Sequence, residues 1–403
     1  MNDKLNNLID IYLKNGVNLQ KYQHLFLTIP LEHHDLGLLI KKKAIKEYEA
    51  KVYVYEWDDL SVLVDKPDYH HQNYINKLKE VYTDKIKTLN DDCVYLELRA
   101  GIENINCKNI DYLNQLNALI AELNQEFKIK KRNKGNVISC KTVIPTKYWA
   151  DIIFSEDSLN KLWDVYFKIT LADQLNPVEL WNKRIADIQH YVKYLNEKQY
   201  RFLSFEDGKT SLMVELIDNH KWTGGCEITD KGIRYMPNFP TQEVFTAPKR
   251  FGVNGYFKNS KPLWYKNIMI DDFYLKFVDG EAIESGAEVN AGTLKAIINY
   301  DDNSKYVGEI AILPGVTEIS KSGILFNTTL LDENAACHLA LGSAYPCSLN
   351  QKIAYNQESF NMYELNYANI HVDMMFGTEY INIKGIDSKG RYHDIIIDGN
   401  WVI

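Results

Sequence analysis

No stretch of this chain approaches the roughly 18 consecutive apolar residues that a membrane-spanning helix needs, so the pattern predicts no membrane segment. Proline and glycine are sparse, at 10 and 21 of 403 residues, and neither a low-complexity tract nor a recurring period is visible. That excludes collagenous, linker-like and solenoid chains. Cysteine is also scarce: Cys93, Cys107, Cys140, Cys226, Cys337 and Cys347 lie at least ten residues apart, with no Cys-x-x-Cys pair. They read as reduced thiols of a cytoplasmic protein, not as a structural zinc site or redox couple, and Cys337 reads as a small buried residue before it reads as a nucleophile. Positive charge is in deficit, with 46 Lys and Arg against 54 Asp and Glu, a net charge of -8. Nothing draws such a chain to nucleic acid or anionic lipid. Its one basic run, residues 128–134, has no interleaved aromatics and reads as a solvated helix end. The first residues are amphipathic, without a secretory apolar segment.

Several catalytic signatures are missing. No two glycines lie two or four apart, which removes the Gly-x-Gly-x-x-Gly and Gly-x-Ser-x-Gly motifs. Gly385 and Gly390 have phosphate-loop spacing, but Arg391 and Tyr392 stand where Lys and Ser or Thr are required. His-Glu-x-x-His does not occur.

What is present is an average globular composition, 45% hydrophobic and 25% charged, in a chain long enough for two or three cores. In the first half, strand-like runs at Lys51–Trp57 and Cys93–Ala100 alternate with helix-period segments at Ile75–Ile86 and Leu113–Leu123. This alternation predicts an open α/β domain with a mainly parallel sheet over residues 1–200. Helices are expected from Ser155 to about Thr170 and from Pro177, with Asn176 as N-cap, to about Gln199. Beyond Tyr200, short β-rich runs such as Ser211–Leu216 are separated by turns including Gly224-Gly225 and Asp279-Gly280. Residues 201–403 therefore read as a β-rich α+β domain.

Candidate chemistry concentrates in that second half. In the run Asn369–Met375, strand alternation places His371 and Asp373 on one face and apolar residues on the other. An imidazole and a carboxylate so placed can chelate one divalent cation. Glu309 interrupts the apolar strand Tyr306–Leu313, and Glu243 lies within Pro240–Phe245, where an unpaired buried carboxylate would be costly. The segment Thr329–Gly342 carries Glu333 and His338 among small residues and reads as a helix, with His338 and Tyr345 on one face if the helical path continues.

At these residues the sequence resembles the thermophilic metallo-aminopeptidase family of the aminopeptidase T, aminopeptidase S and PepS type. The resemblance is carried by Asn238–Pro248, Val307–Ala311, Ser322–Gly342, Ile370–Asp373 and Asp398–Trp401. It implies two divalent cations per chain, zinc, cobalt or manganese, held by Glu243, Glu309, His338, Tyr345, His371 and Asp373, with Glu309 bridging. The family usually shows two glutamates where this chain has Gln242 and Glu243, which favours Glu243 as the ligand. The implied reaction is attack by a bridging hydroxide on the first peptide carbonyl of substrates with a free N-terminus. Glu309 or Glu333 would move the proton, and Tyr345 would ligate a cation or donate to the oxyanion. A homodimer is also implied. Two other readings compete: a non-haem iron oxygenase using His371, Asp373 and His393, and a non-catalytic peptide-binding protein whose carboxylates are salt-bridged.

Overall fold

The computed structural model describes residues 2–57, 71–89, 92–102, 110–134, 137–154, 158–266 and 268–403. The chain forms two compact units, one of Met1–Asn182 with Cys226–Phe239 and one of Lys183–Gly225 with Pro240–Ile403. A sequence reading with one boundary near residue 200 does not contain this exchange, in which the short strand Asn238–Phe239 joins the sheet of the first unit.

In the first unit the strands Asn238–Phe239, Ile138–Ile144, Cys93–Ala100, His24–Pro30 and Lys51–Trp57 lie in that order, and every pairing is parallel. Parallel strands are covered on both faces and so read as nearly continuous apolar runs, as in His24–Pro30, whose Leu25, Leu27 and Ile29 are all fully buried. Phe26 stacks between Tyr53 and Tyr95 on the neighbouring strands, with ring centroids 4.7 and 5.0 Å away. The expected α/β class is what this unit shows. The helix expected from Ser155 to about Thr170 is present as Leu159–Ile169, preceded by a separate helix at Lys147–Phe154, and residues 155–157 lie outside the described residues. Cys107 lies outside them as well, and so do the side chains of 128–129 and 131–134 in the basic run.

The second unit is β-rich. A nine-stranded sheet includes Phe202–Glu206, Ser211–Leu216, Pro248–Lys258 and Ile268–Val278. Ile268–Val278 and Glu281–Val289 form a hairpin closed by Asp279-Gly280, both at positive φ, the backbone that a two-residue turn demands. A smaller antiparallel sheet has the order His371–Met375, His338–Gly342, Val307–Ile312, Val244–Thr246, Thr223–Gly224. One apolar cluster joins both sheets, taking Leu203, Phe205, Phe257 and Phe273 from the larger and Ile310, Leu339, Leu341 and Met374 from the smaller.

One element differs from the sequence expectation. Thr329–Gly342 is not a continuous helix: four helical residues, Thr329–Asp332, and a single 3-10 turn, Glu333–Ala335, give way to the strand His338–Gly342. His338 and Tyr345 are therefore not on one helical face. The small residues that suggested helix packing serve a central strand, in which Leu339 and Leu341 enter the core and all five positions are buried. Gly342, at φ 107°, ends the strand where a Cβ would come within 2.1 Å of the Ile370 carbonyl oxygen.

Candidate metal centre

The register of the smaller sheet decides which side chains meet. Ala340 on the central strand pairs with Glu309 on one side and Asp373 on the other, while His338 pairs with Ala311 and Met375, and His371 with Gly342. Directly paired residues share a face of an antiparallel sheet, so Glu309, His338, His371 and Asp373 all rise from one surface. Its small members, Ala311, Ala340 and Gly342, stand opposite the large polar ones and leave room between them. The reverse surface carries Ile310, Ile312, Leu339, Leu341, Val372 and Met374, all in the core. A bulge between Val307 and Glu309 shifts the register and sets the phase in which Glu309 faces the cluster.

Glu243 enters from the residue preceding the Val244–Thr246 strand. Its Oε2 lies 3.2 Å from His338 Nε2, which is also 3.6 Å from Glu309 Oε1. The other Glu309 oxygen, Oε2, lies 3.7 Å from His371 Nε2, and His371 in turn is 3.2 Å from Asp373 Oδ1. Two candidate cation-binding groups result, Glu243 with Glu309 and His338, and Glu309 with His371 and Asp373. Glu309 belongs to both.

Electrostatics mark the cluster as short of positive charge. Burial pushes the Glu309 carboxyl up, outweighing the two histidines, and its Oε2 is buried without a hydrogen-bond partner. Burial alone would pull the His338 pKa down, but Glu243 and Glu309 hold it well above the usual imidazole value. Asp373 likewise overcomes the burial of His371 and takes that ring up to about 9. Burial opposes the ionised form of Asp373, yet the adjacent His371 keeps this carboxyl below the ordinary range. Among the described residues, the ion pairs of Glu243 and Glu309 are with histidines, not with lysine or arginine. Buried oxygen and imidazole donors with one orphaned carboxylate oxygen are the donor set that a divalent cation satisfies.

The remaining sequence candidates sit at the edge. Tyr345, 37% exposed, precedes the 3-10 turn Pro346–Ser348, and its ring centroid lies 4.6 Å from that of His371. Shielding from solvent, followed by the charges of Glu309, Asp373 and Glu333, raises its phenol well above 10. Glu333, on its 3-10 turn, is raised well above the ordinary carboxyl value by burial and then by Glu243 and Asp373, which places it in the field of the same cluster. His393 is elsewhere: it pairs with Asp387 at 3.3 Å and packs 5.5 Å from the Tyr200 ring, so the His371, Asp373, His393 triad is not assembled.

Residues that the sequence reading did not single out hold these groups in place. His371 Nδ1 meets the Ser343 carbonyl oxygen at 2.8 Å, which aims Nε2 at the cluster. Asn334, fully buried, accepts the Gln242 backbone N–H at 2.7 Å, while its carbonyl accepts the Thr317 hydroxyl at 2.8 Å. Phe245, paired with Ala311, stands 6.2 Å from the Tyr345 ring. No short-range pattern could have revealed these contacts, because their partners are distant in sequence.

The description thermophilic metalloprotease (M29) matches residues 1–401. An aminopeptidase 2 of Geobacillus stearothermophilus is 34% identical over 409 residues, covering 99% of this chain and 97% of its own. Aminopeptidase AmpS of Bacillus subtilis is 30% identical, covering 99% and 98%. The solved structure of wild-type AmpT from Thermus thermophilus superimposes with a TM-score of 0.83 at 26% identity, covering 99% of both chains. With a candidate cation-binding cluster on a fold shared end to end with these proteins, the chain belongs to the M29 thermophilic metalloprotease family and is a metal-dependent aminopeptidase.

Proposed function

We propose that this chain removes the N-terminal residue of peptides with two divalent cations, one held by Glu243, Glu309 and His338 and the other by Glu309, His371 and Asp373. The observation that carries the reading is the membership of Glu309 in both donor groups, one oxygen toward each histidine. Names of the relatives, aminopeptidases throughout, support the exopeptidase part. When bound, such a pair of cations supplies a hydroxide nucleophile at neutral pH and Lewis-acid stabilisation of a carbonyl oxygen. Donors without thiolate suit zinc, cobalt or manganese.

The protein's own groups supply the rest. Tyr345 keeps its proton and can donate a hydrogen bond to the carbonyl oxygen of the scissile peptide as negative charge builds there. In this reading Glu333, with its raised proton affinity, hands a proton to the departing amine nitrogen. The rings of Phe245 and Tyr345 give the site an apolar wall for the substrate. The resemblance to the aminopeptidase T type supports a homodimer, which light scattering on the purified protein tests.

The reading is tested by elemental analysis together with release of a chromogenic amine from an amino-acid anilide. Two metals per chain, loss of cleavage on chelation and restoration by added cation are the expected results. The N-acetylated anilide should be a poor substrate. Equal turnover of blocked and free substrates would remove the exopeptidase part, and chelator-resistant cleavage would remove the metal.

A further inference from the structure

A second concavity lies in the same unit, lined by residues outside the ligand set. It has a volume of about 450 Å³. Lys209, Lys258, Lys261 and Lys321 contribute to its lining, as do Ser260 and the segment Ala335–Ala336. Two residues of the lining, Asp207 and Glu379, carry carboxylates.

Within the lining itself lysines outnumber carboxylates. Lys258 is paired with Asp272. Asp207 is occupied by the backbone N–H groups of Lys209 and Thr210. Among the described residues, Lys209, Lys261 and Lys321 form no close ion pair, which sets three cations of the lining against the carboxylates of Asp207 and Glu379, with Asp332 in the field of Lys261 and Glu318 in that of Lys321. The Ser260 hydroxyl is buried without a hydrogen-bond partner. A buried hydroxyl without a protein partner is open to a hydrogen bond from solvent or from a ligand.

We propose that this concavity binds a small oxyanion, the phosphate or carboxylate group of a small molecule, through Lys209, Lys261, Lys321 and the Ser260 hydroxyl. Such groups accept several charge-assisted hydrogen bonds at once and pair with ammonium side chains. The volume admits more than a bare ion. The site does not depend on the metal centre for its ligands, but it touches it through the chain: Ala335 and Ala336 follow Glu333 and precede His338, and Ser320 is hydrogen-bonded to Thr317, whose hydroxyl holds Asn334. An occupant therefore bears on the segment that carries two of the catalytic candidates.

The test is calorimetric titration of the metal-loaded protein with inorganic phosphate and, separately, with succinate, at two salt concentrations. Saturable binding of one anion per chain, weakened by salt, is expected for at least one probe. The double substitution Lys261→Gln with Lys321→Gln should weaken it by about tenfold or more, since each replaces a charge-assisted contact. Lys261→Arg with Lys321→Arg should retain it, which separates loss of charge from misfolding. Lys384→Gln, outside the residues that line the concavity, should leave it unchanged. No saturable binding of either probe overturns the proposal. So does binding that the double Gln substitution leaves intact, the result expected if the anion sits on the metals instead.

Discussion

Asn334 accepts the backbone N–H of Gln242 across 92 residues of sequence, at 2.7 Å and out of contact with solvent. Each partner adjoins a glutamate, Glu333 on one side and Glu243 on the other. Burial and the nearby Glu243 both disfavour ionisation of Glu333, and the Asn334 side chain is a neutral tie between the two loops. Asn334→Ala removes this tie and leaves a buried N–H unsatisfied, at a cost of about 1–3 kcal/mol in stability. Metal affinity should fall about tenfold or more because Glu243 loses its support. Denaturant unfolding and metal titration measure the two effects separately. Thr317→Ala should destabilise the Asn334 turn with a smaller loss of affinity, and an Asn334→Ala protein with unchanged metal affinity would show that the tie is structural only.

Glu309→Gln is expected to retain the fold and lose the function. The substitution preserves volume, and its removal of a buried charge does not cost core packing. It withdraws the shared charge from both donor groups, so metal content should fall below that of the parent and anilide cleavage by about a hundredfold or more. Elemental analysis and circular dichroism read the two outcomes. Full activity in this variant would reject the assignment of Glu309.

Ala340 gives a packing test of the same site. Its Cβ stands between Glu309 and Asp373 on the paired strands, at a fully buried position. Ala340→Leu adds three carbons to that surface, with about 1–3 kcal/mol of overpacking, and holds the two carboxylates apart. Loss of the second bound metal before loss of the fold is expected, seen as reduced stoichiometry at a modestly lowered melting temperature. Two tightly bound metals in the variant would show that the gap at Ala340 is not needed.

Thiol reactivity should separate the cysteines. Cys347 is exposed, whereas Cys93, Cys140, Cys226 and Cys337 are buried. Burial pushes the Cys226 thiol up to about 11, so it stays protonated and unreactive at pH 8 and forms thiolate only near pH 11. Cys337 Sγ is held 3.3 Å from the Leu313 carbonyl oxygen. A disulfide reagent at pH 8 should modify Cys347 in the native protein and these others only after denaturation, with mass spectrometry locating the label. Native labelling of Cys226 or Cys337 at that pH contradicts this order.

Much of the fold was legible in the sequence where local pattern and final environment agree. Lys51–Trp57 and Cys93–Ala100 are strands with the bounds the residues suggest, and Asp279-Gly280 closes a hairpin as its turn chemistry requires. His338 shows the opposite case. Ala335, Ala336 and Ala340 favour a helix by propensity, yet pairing with two flanking strands and burial of Leu339 and Leu341 outweigh that preference.

The amino-acid order by itself determined the alternation of strands and helices in the first half, the β-rich second half, and the same-face placement of His371 and Asp373. These follow from side-chain periodicity, which acts over a few residues. The tertiary structure alone decided that Glu309 stands between two histidines, that Ala340 leaves the gap between two carboxylates, and that Asn334 joins loops 92 residues apart. Strand order and register set those meetings, and they arise from burying one apolar face of a five-stranded sheet, a cooperative property that no short segment carries.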